Sequence, residues 1–258
     1  MDTADSDATP PVQPASPSTQ ASWLLELQEL LLASDSLAEF LHDLAVLAAR
    51  ATAADTSCGV TMRPDGRPAT VASSDDFALR VDEIQYSVGS GPCLDSLRDG
   101  RDVHIAELMK EKRWPAFTSH ALAHGVRSSM SVPLTGPIGT VGVLNLYAPR
   151  PRAYDDVAQQ RATVFAATAT GAVALARRMA EQTQLSEDLR TALSNRSLID
   201  QAIGILMAQS GLTARAAFEV LRRTSHTRNL KIREVATRLV ESLTGTAPDE
   251  EVRFQPRS

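Results

Sequence analysis

The chain has 258 residues, of which 43% are hydrophobic, 22% are charged and only 4% are aromatic. This length allows one large domain or two smaller ones, each with its own core. The net charge of −5 argues against a protein that binds nucleic acid with its whole surface, but it permits one basic module. Two cysteines are too few for a disulfide scaffold or a four-ligand zinc site, and they favour a reducing compartment.

The two ends of the chain are polar. No lysine or arginine precedes Arg50, so the basic region of a signal peptide is missing, and the longest uncharged apolar run, 162–176, is shorter than the roughly 18 to 20 residues that span a bilayer. We therefore expect a cytoplasmic protein without a membrane segment. Residues 1–20 are rich in Asp, Thr, Ser, Gln and Pro and predict a disordered tail, and 246–258 predict a polar tail.

Residues 22–175 combine helical and strand patterns. Apolar residues recur at helical spacing from Ser22, and Ser36 with Glu39 forms a capping box ahead of a second helix. The pattern predicts an α+β domain in which helices flank an antiparallel sheet. The expected strands are 58–62, 69–72, 103–105, 130–134 and 141–147, and the expected helices lie near 76–84, 92–98 and 114–123.

A long helix is expected over 155–195, a segment without proline and with a single glycine. Its apolar positions keep three- and four-residue spacing only in part: Val164, Thr168, Leu175, Met179, Leu185 and Leu189. Two interpretations remain open. The helix either pairs with a second copy as a coiled coil or caps the domain and continues as a solvated connector.

Residues 185–245 predict a compact bundle of three short helices. The first carries a stripe with Ile203 and ends at Gly211, and the second begins after Thr213 as N-cap. The spacing of Phe218 and Leu221 places both in the core. The third helix, with apolar positions between 232 and 243, has the cleanest amphipathic pattern and ends at Gly245.

Positive charge is concentrated in this bundle. Residues 1–184 carry a net charge of −7, residues 185–245 carry +3 and the remaining tail carries −1. Eight of the nine cations of the bundle are arginines, whose planar guanidinium suits bidentate contacts with phosphate and guanine. The charge alone fits either a nucleic-acid surface or an ordinary solvated helical surface.

The C-terminal stretch resembles an ANTAR domain. The resemblance rests on Ile199-Asp200-Gln201-Ala202-Ile203-Gly204-Ile205-Leu206-Met207, on Ala217-Phe218-x-x-Leu221-Arg222 with Ser225 and Asn229, and on Lys231-Ile232-Arg233-x-Val235-Ala236. The family implies a three-helix RNA-binding module that acts in transcription antitermination on paired stem-loops. Ile203 departs from the pattern, because many members have Lys there.

We expect RNA contacts from polar and basic residues on this module, with affinity that falls steeply as salt rises. The candidate residues are Arg196, Gln201, Arg222, Arg223, Arg228, Asn229, Lys231 and Arg233. The alternative is a DNA-binding transcription factor that uses the same bundle in the manner of a helix-turn-helix.

Residues from about 36 to 175 resemble a GAF domain. The supporting segments are Gly89-Ser90-Gly91-Pro92-Cys93, Arg113-Trp114-Pro115-x-Phe117, Val132-Pro133-Leu134 and Gly139-x-Val141-Gly142-Val143-Leu144-Asn145-Leu146-Tyr147. The family implies a sensor that binds cyclic nucleotides, tetrapyrroles, haem, small metabolites or no known ligand, so the cofactor stays unassigned. Alternation and position give Met62, Cys93, Trp114, Met130 and Leu144 as candidate pocket residues.

Cys93 follows Gly-Ser-Gly-Pro at the start of an expected helix, where backbone N–H groups lower a thiol pKa. It is a redox or metal-sensing thiol, a buried small hydrophobe, or the catalytic thiol of a GAF-fold reductase with Cys58 as resolving partner. His120 and His124 have helical i, i+4 spacing but lack the Glu of a His-Glu-x-x-His site, so we expect no metal there.

Together these observations predict a non-enzymatic regulator. A GAF-like sensor would pass its state through the long helix to an ANTAR-like bundle that binds stem-loop RNA. The long helix would pair two chains, so that two bundles engage two hairpin loops at high effective concentration.

Overall fold

The computed structural model describes residues 17–63, 66–137 and 139–244. The chain divides into two compact units, 1–180 and 181–258, and helix α6 begins in the first and ends in the second. The helices are α1 (Pro17–Ala33), α2 (Leu37–Thr52), α3 (Asp76–Val88), α4 (Pro92–Asp99), α5 (Pro115–Ala123), α6 (Asp156–Ser210), α7 (Ala214–Arg228) and α8 (Ile232–Thr244). The strands are β1 (Ser57–Met62), β2 (Ala69–Ser73), β3 (Val103–Ile105), β4 (Ser128–Gly136) and β5 (Gly139–Ala148).

The first unit is built on a five-stranded sheet in the order β2-β1-β5-β4-β3. Every neighbouring pair is antiparallel, and Leu144 of β5 lies opposite Val60 of β1 and Val132 of β4. Helices flank this sheet, and the expected α+β fold is confirmed.

One face of the sheet is apolar. Because side chains alternate along a strand, Cys58, Val60 and Met62 lie on the same face of β1. They join Met130, Val132, Leu134, Leu144 and Leu146 in one core with the buried sides of α2 and α6. This face carries the main hydrophobic core of the unit.

Local sequence signals set the ends of the first two helices. The Ser36 hydroxyl accepts a hydrogen bond from the Glu39 N–H at 3.2 Å, as expected of an N-cap. The Glu39 carboxylate accepts from the N–H of Asp35 at 2.8 Å, one residue earlier than the capping box requires. Helix α1 begins at Pro17, a residue favoured in a first helical turn, so the helix includes the last four residues of the expected N-terminal tail.

The rest of that expected tail, residues 1–16, lies outside the described residues, as does the C-terminal tail 246–258. Gly245, expected to end the last helix, is also outside them. Helix α1 is fixed to the core by Trp23, whose ring packs edge-on against Phe165 with centroids 5.7 Å apart. Trp23 and Leu27 are both buried.

Helix α6 is a continuous helix of 55 residues, which corrects the expectation of a long helix to about 195 followed by a separate short one. No proline interrupts it, and neither Gly171 nor Gly204 breaks it. It ends before Gly211, which adopts a left-handed conformation with φ of 64°. The C-terminal bundle therefore consists of the end of α6, α7 and α8.

The core of this bundle is small. Ala202, Leu221, Val235, Ala236 and Val240 are buried, and Ile203 packs against them as part of the expected stripe. Thr213 caps α7 by accepting from the N–H of Ala216 at 3.3 Å.

Phe218 is not a core residue, contrary to expectation. It is 39% exposed and lies outside the apolar cluster of the bundle. Within the described ranges, no helix combines the length and apolar character needed to cross a membrane.

Candidate functional site

The second face of the sheet in the first unit is polar and yet buried. Helices α3 and α4 cover it. The strands place Thr61, Ser129, Ser131, Asn145 and Tyr147 on this face, and each is fully buried. We call these five residues, with Asp82 and Gln85 of α3, the polar layer.

Asp82 lies at the centre of the polar layer. Its Oδ1 accepts hydrogen bonds from the Tyr147 hydroxyl at 2.5 Å and from Asn145 Nδ2 at 2.9 Å. Its Oδ2 accepts from the Thr70 hydroxyl at 2.8 Å. Three neutral donors from strands β5 and β2 therefore converge on one carboxylate.

Three hydroxyls extend this network away from Asp82. The Tyr86 hydroxyl lies 2.9 Å from the Thr70 hydroxyl and 2.7 Å from the Thr61 hydroxyl. With Asp82 ionised, Thr70 donates to it, so Tyr86 donates to Thr70 and Thr61 to Tyr86. If Asp82 Oδ2 carried a proton, the direction of all three hydrogen bonds in this chain would be reversed. The chain reaches Tyr86, which is partly exposed.

Gln85 links the carboxylate to α4. Its Nε2 donates to the Tyr147 hydroxyl at 2.8 Å, and its Oε1 accepts from the N–H of Cys93 at 2.8 Å. The Cys93 thiol lies 3.3 Å from the Thr61 hydroxyl. The first turn of α4 is therefore tied to both α3 and β1 through the polar layer.

Burial dominates the electrostatics of the polar layer. It raises the pKa of Asp82 from 3.8 to about 7, although the hydrogen bonds from Tyr147, Thr70 and Asn145 lower it. Burial and the negative charge of Asp82 also raise the pKa of Tyr147 well above its ordinary value. No described Lys, Arg or His side chain donates to Asp82. The carboxylate is therefore poised to change charge near neutral pH.

Two hydroxyls beside the network have no hydrogen-bond partner within the described residues. Ser129 lies opposite Tyr147 in the sheet, and Ser96 lies one turn after Cys93 on the buried side of α4. Unpaired buried hydroxyls are uncommon, because each loses hydrogen bonds to water. Both remain able to bind a polar molecule that enters the layer.

Gly59 makes room for the carboxylate. It lies on β1 two residues before Thr61, facing Asp82. A methyl group on Gly59 would overlap Asp82 Oδ2, so this position requires the absence of a side chain.

The five candidate pocket residues do not line a single pocket. Met62, Met130 and Leu144 belong to the apolar core on one face of the sheet. Cys93 and Trp114 lie on the other side, in separate apolar clusters. A cavity of about 370 Å³ in this unit lies beside the end of α2 and contains none of the five.

The expected lowering of the Cys93 thiol pKa is wrong. Burial, together with the negative charge of Asp82, raises the pKa to about 12 and outweighs the effect of the helix start. Cys58 lies on the apolar face, while Thr61, which contacts Cys93, lies on the opposite face of the same strand. The sheet separates the two thiols, so Cys58 cannot act as the resolving partner of Cys93 without unfolding of the sheet.

The polar layer was missed as a site, although the sequence carried a signal for it. Ser129 and Ser131 alternate with Met130 and Val132, and Asn145 and Tyr147 interrupt an otherwise apolar strand. Such alternation is typical of a sheet with one face in water. The structure shows that helices cover this face.

Comparison with known families identifies both units. A GAF domain model matches residues 34–174, more than half of the chain. The chain belongs to the GAF domain family. An ANTAR domain model matches residues 187–240, so both resemblances seen in the sequence are confirmed. Among curated proteins, none matches this chain.

Solved structures similar to the chain include other GAF domains. The GAF domain of an Acinetobacter phosphoenolpyruvate-protein phosphotransferase is 18% identical, with a TM-score of 0.46, and the match covers 64% of this chain and 97% of that one. The free methionine-R-sulfoxide reductase of Neisseria meningitidis, solved in complex with its substrate, is 14% identical, with a TM-score of 0.46 and coverage of 66% and 99%.

The candidate RNA-binding residues of the ANTAR domain are all exposed. Arg196 and Gln201 lie on α6, and Arg222 and Arg223 lie on α7. Arg222 pairs with Glu219 at 2.9 Å, and Arg196 lies 3.9 Å from Asp200. Arg228, Asn229, Lys231 and Arg233 follow one another around the corner from α7 to α8.

This corner is held by specific hydrogen bonds. The Ser225 hydroxyl donates to the Leu230 carbonyl at 2.6 Å, and the Leu230 N–H donates to the Ser225 carbonyl at 3.1 Å. Asn229 adopts a left-handed conformation with φ of 50°, which asparagine tolerates better than most residues. Ser225 and Asn229 therefore have structural roles that position the neighbouring basic side chains.

Proposed function

We propose that this protein is a cytoplasmic, signal-responsive regulator that binds stem-loop RNA through its ANTAR domain and acts in transcription antitermination. The observation that carries the proposal is the presence of a GAF domain and an ANTAR domain in one chain. The charge distribution supports it, because the segment that contains the ANTAR domain is the net-basic part of an acidic chain.

The sensor is proposed to respond through the polar layer. A buried carboxylate with only neutral hydrogen-bond donors, and two orphaned hydroxyls at Ser96 and Ser129, are the groups that a small polar ligand would engage. Such a ligand would compete with Asp82 for its donors. Because Tyr147 and Gln85 connect Asp82 to the first turn of α4, a change at Asp82 would reach α4 through these two hydrogen-bonded side chains.

Two chains are proposed to act together through α6. Leu175 and Met179 are 49% and 51% exposed, and Leu189 and Leu193 are 56% and 68% exposed. Leu175 and Met179 are four residues apart, as are Leu189 and Leu193, and exposed apolar side chains at such spacing favour helix pairing. A second copy of α6 is the occupant that would cover them.

The test is a binding measurement with the full-length protein. RNA with two hairpins and RNA with one hairpin are compared at fixed salt, with duplex DNA as competitor. We expect tighter binding to the two-hairpin RNA and weak competition by DNA. Equal affinity for one and two hairpins would refute the paired arrangement, and preferred binding to duplex DNA would support the DNA-binding alternative instead.

Charge variants separate specific contacts from net charge. Arg222→Ala/Arg223→Ala removes two cations from α7, whereas Arg101→Ala/Arg161→Ala removes two exposed cations from outside the matched ANTAR segment. Each lost phosphate contact should reduce the slope of log affinity against log salt by roughly 0.7 to 0.9. Only the α7 variant should show this reduction.

A further inference from the structure

A groove opens on the surface of the C-terminal bundle between the end of α6, α7 and α8. Its volume is about 260 Å³, below the roughly 300 to 1,000 Å³ of clefts that hold drug-sized ligands. This size suits one planar ring system. We call it the bundle groove, and it is lined by Leu206, Val220, Leu221, Thr224, Arg228, Leu230, Val235, Arg238, Leu239 and Ser242.

The floor of the bundle groove is apolar and incompletely covered. Six of its ten lining residues are Leu or Val. Val220, one of these apolar lining residues, is 41% exposed. An apolar surface that remains accessible in a small basic domain is a candidate contact for a flat hydrophobic group.

The rim of the bundle groove is positively charged. Arg228 and Arg238 stand at the groove, and neither forms an ion pair within the described residues. Arg222, by contrast, forms an exposed ion pair with Glu219 at 2.9 Å. The charge at the rim is therefore available for an anionic partner, and it is complementary to phosphate.

The two hydroxyls of the groove can act toward a ligand only as hydrogen-bond acceptors, because their hydrogens are already used. The Thr224 hydroxyl donates its hydrogen to the Val220 carbonyl at 2.9 Å, and the Ser242 hydroxyl donates to the Leu239 carbonyl at 2.7 Å. Each hydroxyl oxygen keeps lone pairs that can accept a hydrogen bond. The groove therefore offers hydrogen-bond acceptors to a ligand edge that carries N–H groups.

We propose that the bundle groove holds one unstacked base of an RNA loop, with the apolar floor against the base and Arg228 and Arg238 on the adjoining phosphates. This inference rests on the proposed RNA-binding function. The acceptor oxygens of Thr224 and Ser242 favour a base that presents an amino group. A base excluded from its own stack gains apolar contact with the leucine and valine side chains of the floor.

The test uses the full-length protein and a two-hairpin RNA selected with it from a library with randomised loops. Loop positions are replaced one at a time by abasic residues. For the wild-type protein, one position in each loop should weaken binding by roughly 10- to 100-fold when its base is removed, as expected for the loss of one buried apolar group.

Ser242→Leu fills the groove at an exposed position and removes one acceptor. The variant should bind the intact RNA more weakly by a similar factor. Its affinity should not fall further when the base at that loop position is removed. Ser119→Leu makes the same change at an exposed serine of α5, outside the groove lining and the matched ANTAR segment, and it should retain the wild-type affinity and abasic profile.

A second pair of variants tests the rim without adding volume. Arg238→Gln should weaken RNA binding more than Arg215→Gln, which removes one exposed cation from α7 away from the groove lining. Wild-type affinity in both Ser242→Leu and Arg238→Gln would overturn the inference and leave the proposed function intact. A changed oligomeric state with unchanged RNA affinity would make the groove a protein interface and would also overturn it.

Failure of the selection has a different meaning. If the wild-type protein selects no RNA from the library, this result refutes the proposed RNA-binding function. It also refutes the inference about the groove, which depends on that function.

Discussion

Replacement of Asp82 by Asn should change how the stability of the sensor domain depends on pH. The folded domain holds the Asp82 proton up to a pKa of about 7, whereas the unfolded chain releases it near 3.8. Between these values the folded state binds more protons than the unfolded state, so wild-type stability falls as pH rises. Above pH 7 the contribution is constant. The amide introduced by Asp82→Asn cannot ionise, so the variant escapes this loss.

The size of the effect follows from the two pKa values. One pKa unit corresponds to ~1.4 kcal/mol, so the full difference between 3.8 and about 7 amounts to about 4 kcal/mol. Over the accessible range from pH 5 to pH 8, the wild type should lose roughly 2 to 3 kcal/mol relative to Asp82→Asn. The hydroxyl chain can accommodate Asn, because Thr70 can turn to accept from its amide while Tyr147 and Asn145 still donate to its oxygen.

Intrinsic tryptophan fluorescence is a suitable probe for this measurement. Both tryptophans of the chain, Trp23 and Trp114, belong to the first unit and are buried, so intrinsic fluorescence during urea unfolding reports on that unit. Glu83→Gln is the matched control, because it removes an exposed carboxylate from the adjacent position of α3. It should follow the wild-type pH dependence.

A constant stability difference between the wild type and Asp82→Asn from pH 5 to pH 8 would refute the reasoning. It would mean that the hydrogen bonds to Asp82 compensate for burial, so that the carboxylate stays ionised throughout this range.

Three further predictions concern individual positions. Gly59→Ala should destabilise the sensor by about 1 to 3 kcal/mol or more in urea unfolding, and the cost should shrink in an Asp82→Ala background, where the overlapping carboxylate is gone. The Cys93 thiol, with a pKa raised to about 12, should resist a thiol-specific reagent at pH 8 in the native protein and react after unfolding; rapid native labelling would contradict its burial. Phe218→Ala should lower the free energy of unfolding of the bundle, followed by circular dichroism during heating, by less than about 1 kcal/mol, whereas Leu221→Ala should lower it by about 2 to 5 kcal/mol. Equal losses would show that Phe218 is a core residue.

The sheet of the GAF domain could be predicted because its signals are local. Alternation between Met130, Val132 and Leu134 and their polar neighbours marks β4, and the expected strand 103–105 coincides with β3. The ends of α7 also follow local chemistry, since Thr213 caps its start and Asn229 turns the chain at its end. Such features depend on neighbours within a few residues, which the sequence displays directly.

The polar layer could not be predicted in the same way. Asp82 and Tyr147 are 65 residues apart in the chain, and Asn145 and Thr61 are 84 apart, so no local spacing connects them. Alternation shows that one face of β4 is polar, but it does not show whether water or a helix covers that face. The candidate pocket residues lie in separate apolar clusters for the same reason, because alternation alone does not assign each residue to a covered face of the sheet.

The bundle shows the same limit on a smaller scale. Phe218 and Leu221 are three residues apart, which places them on adjacent parts of the helix surface. A bundle of three helices covers only a narrow stripe of each one, so Leu221 is buried and Phe218 remains 39% exposed. Helical spacing therefore predicts the side of the helix that faces the core but not how far the covered surface extends.

The two faces of the GAF sheet should tolerate substitutions differently during evolution. On the apolar face, a substitution at Val60 or Leu144 is tolerated when its volume is conserved, whatever its neighbours become. In the polar layer, a change of Asp82 to an apolar residue leaves the donors of Tyr147 and Asn145 without an acceptor. Homologues should therefore vary one residue at a time on the first face, and in matched groups on the second.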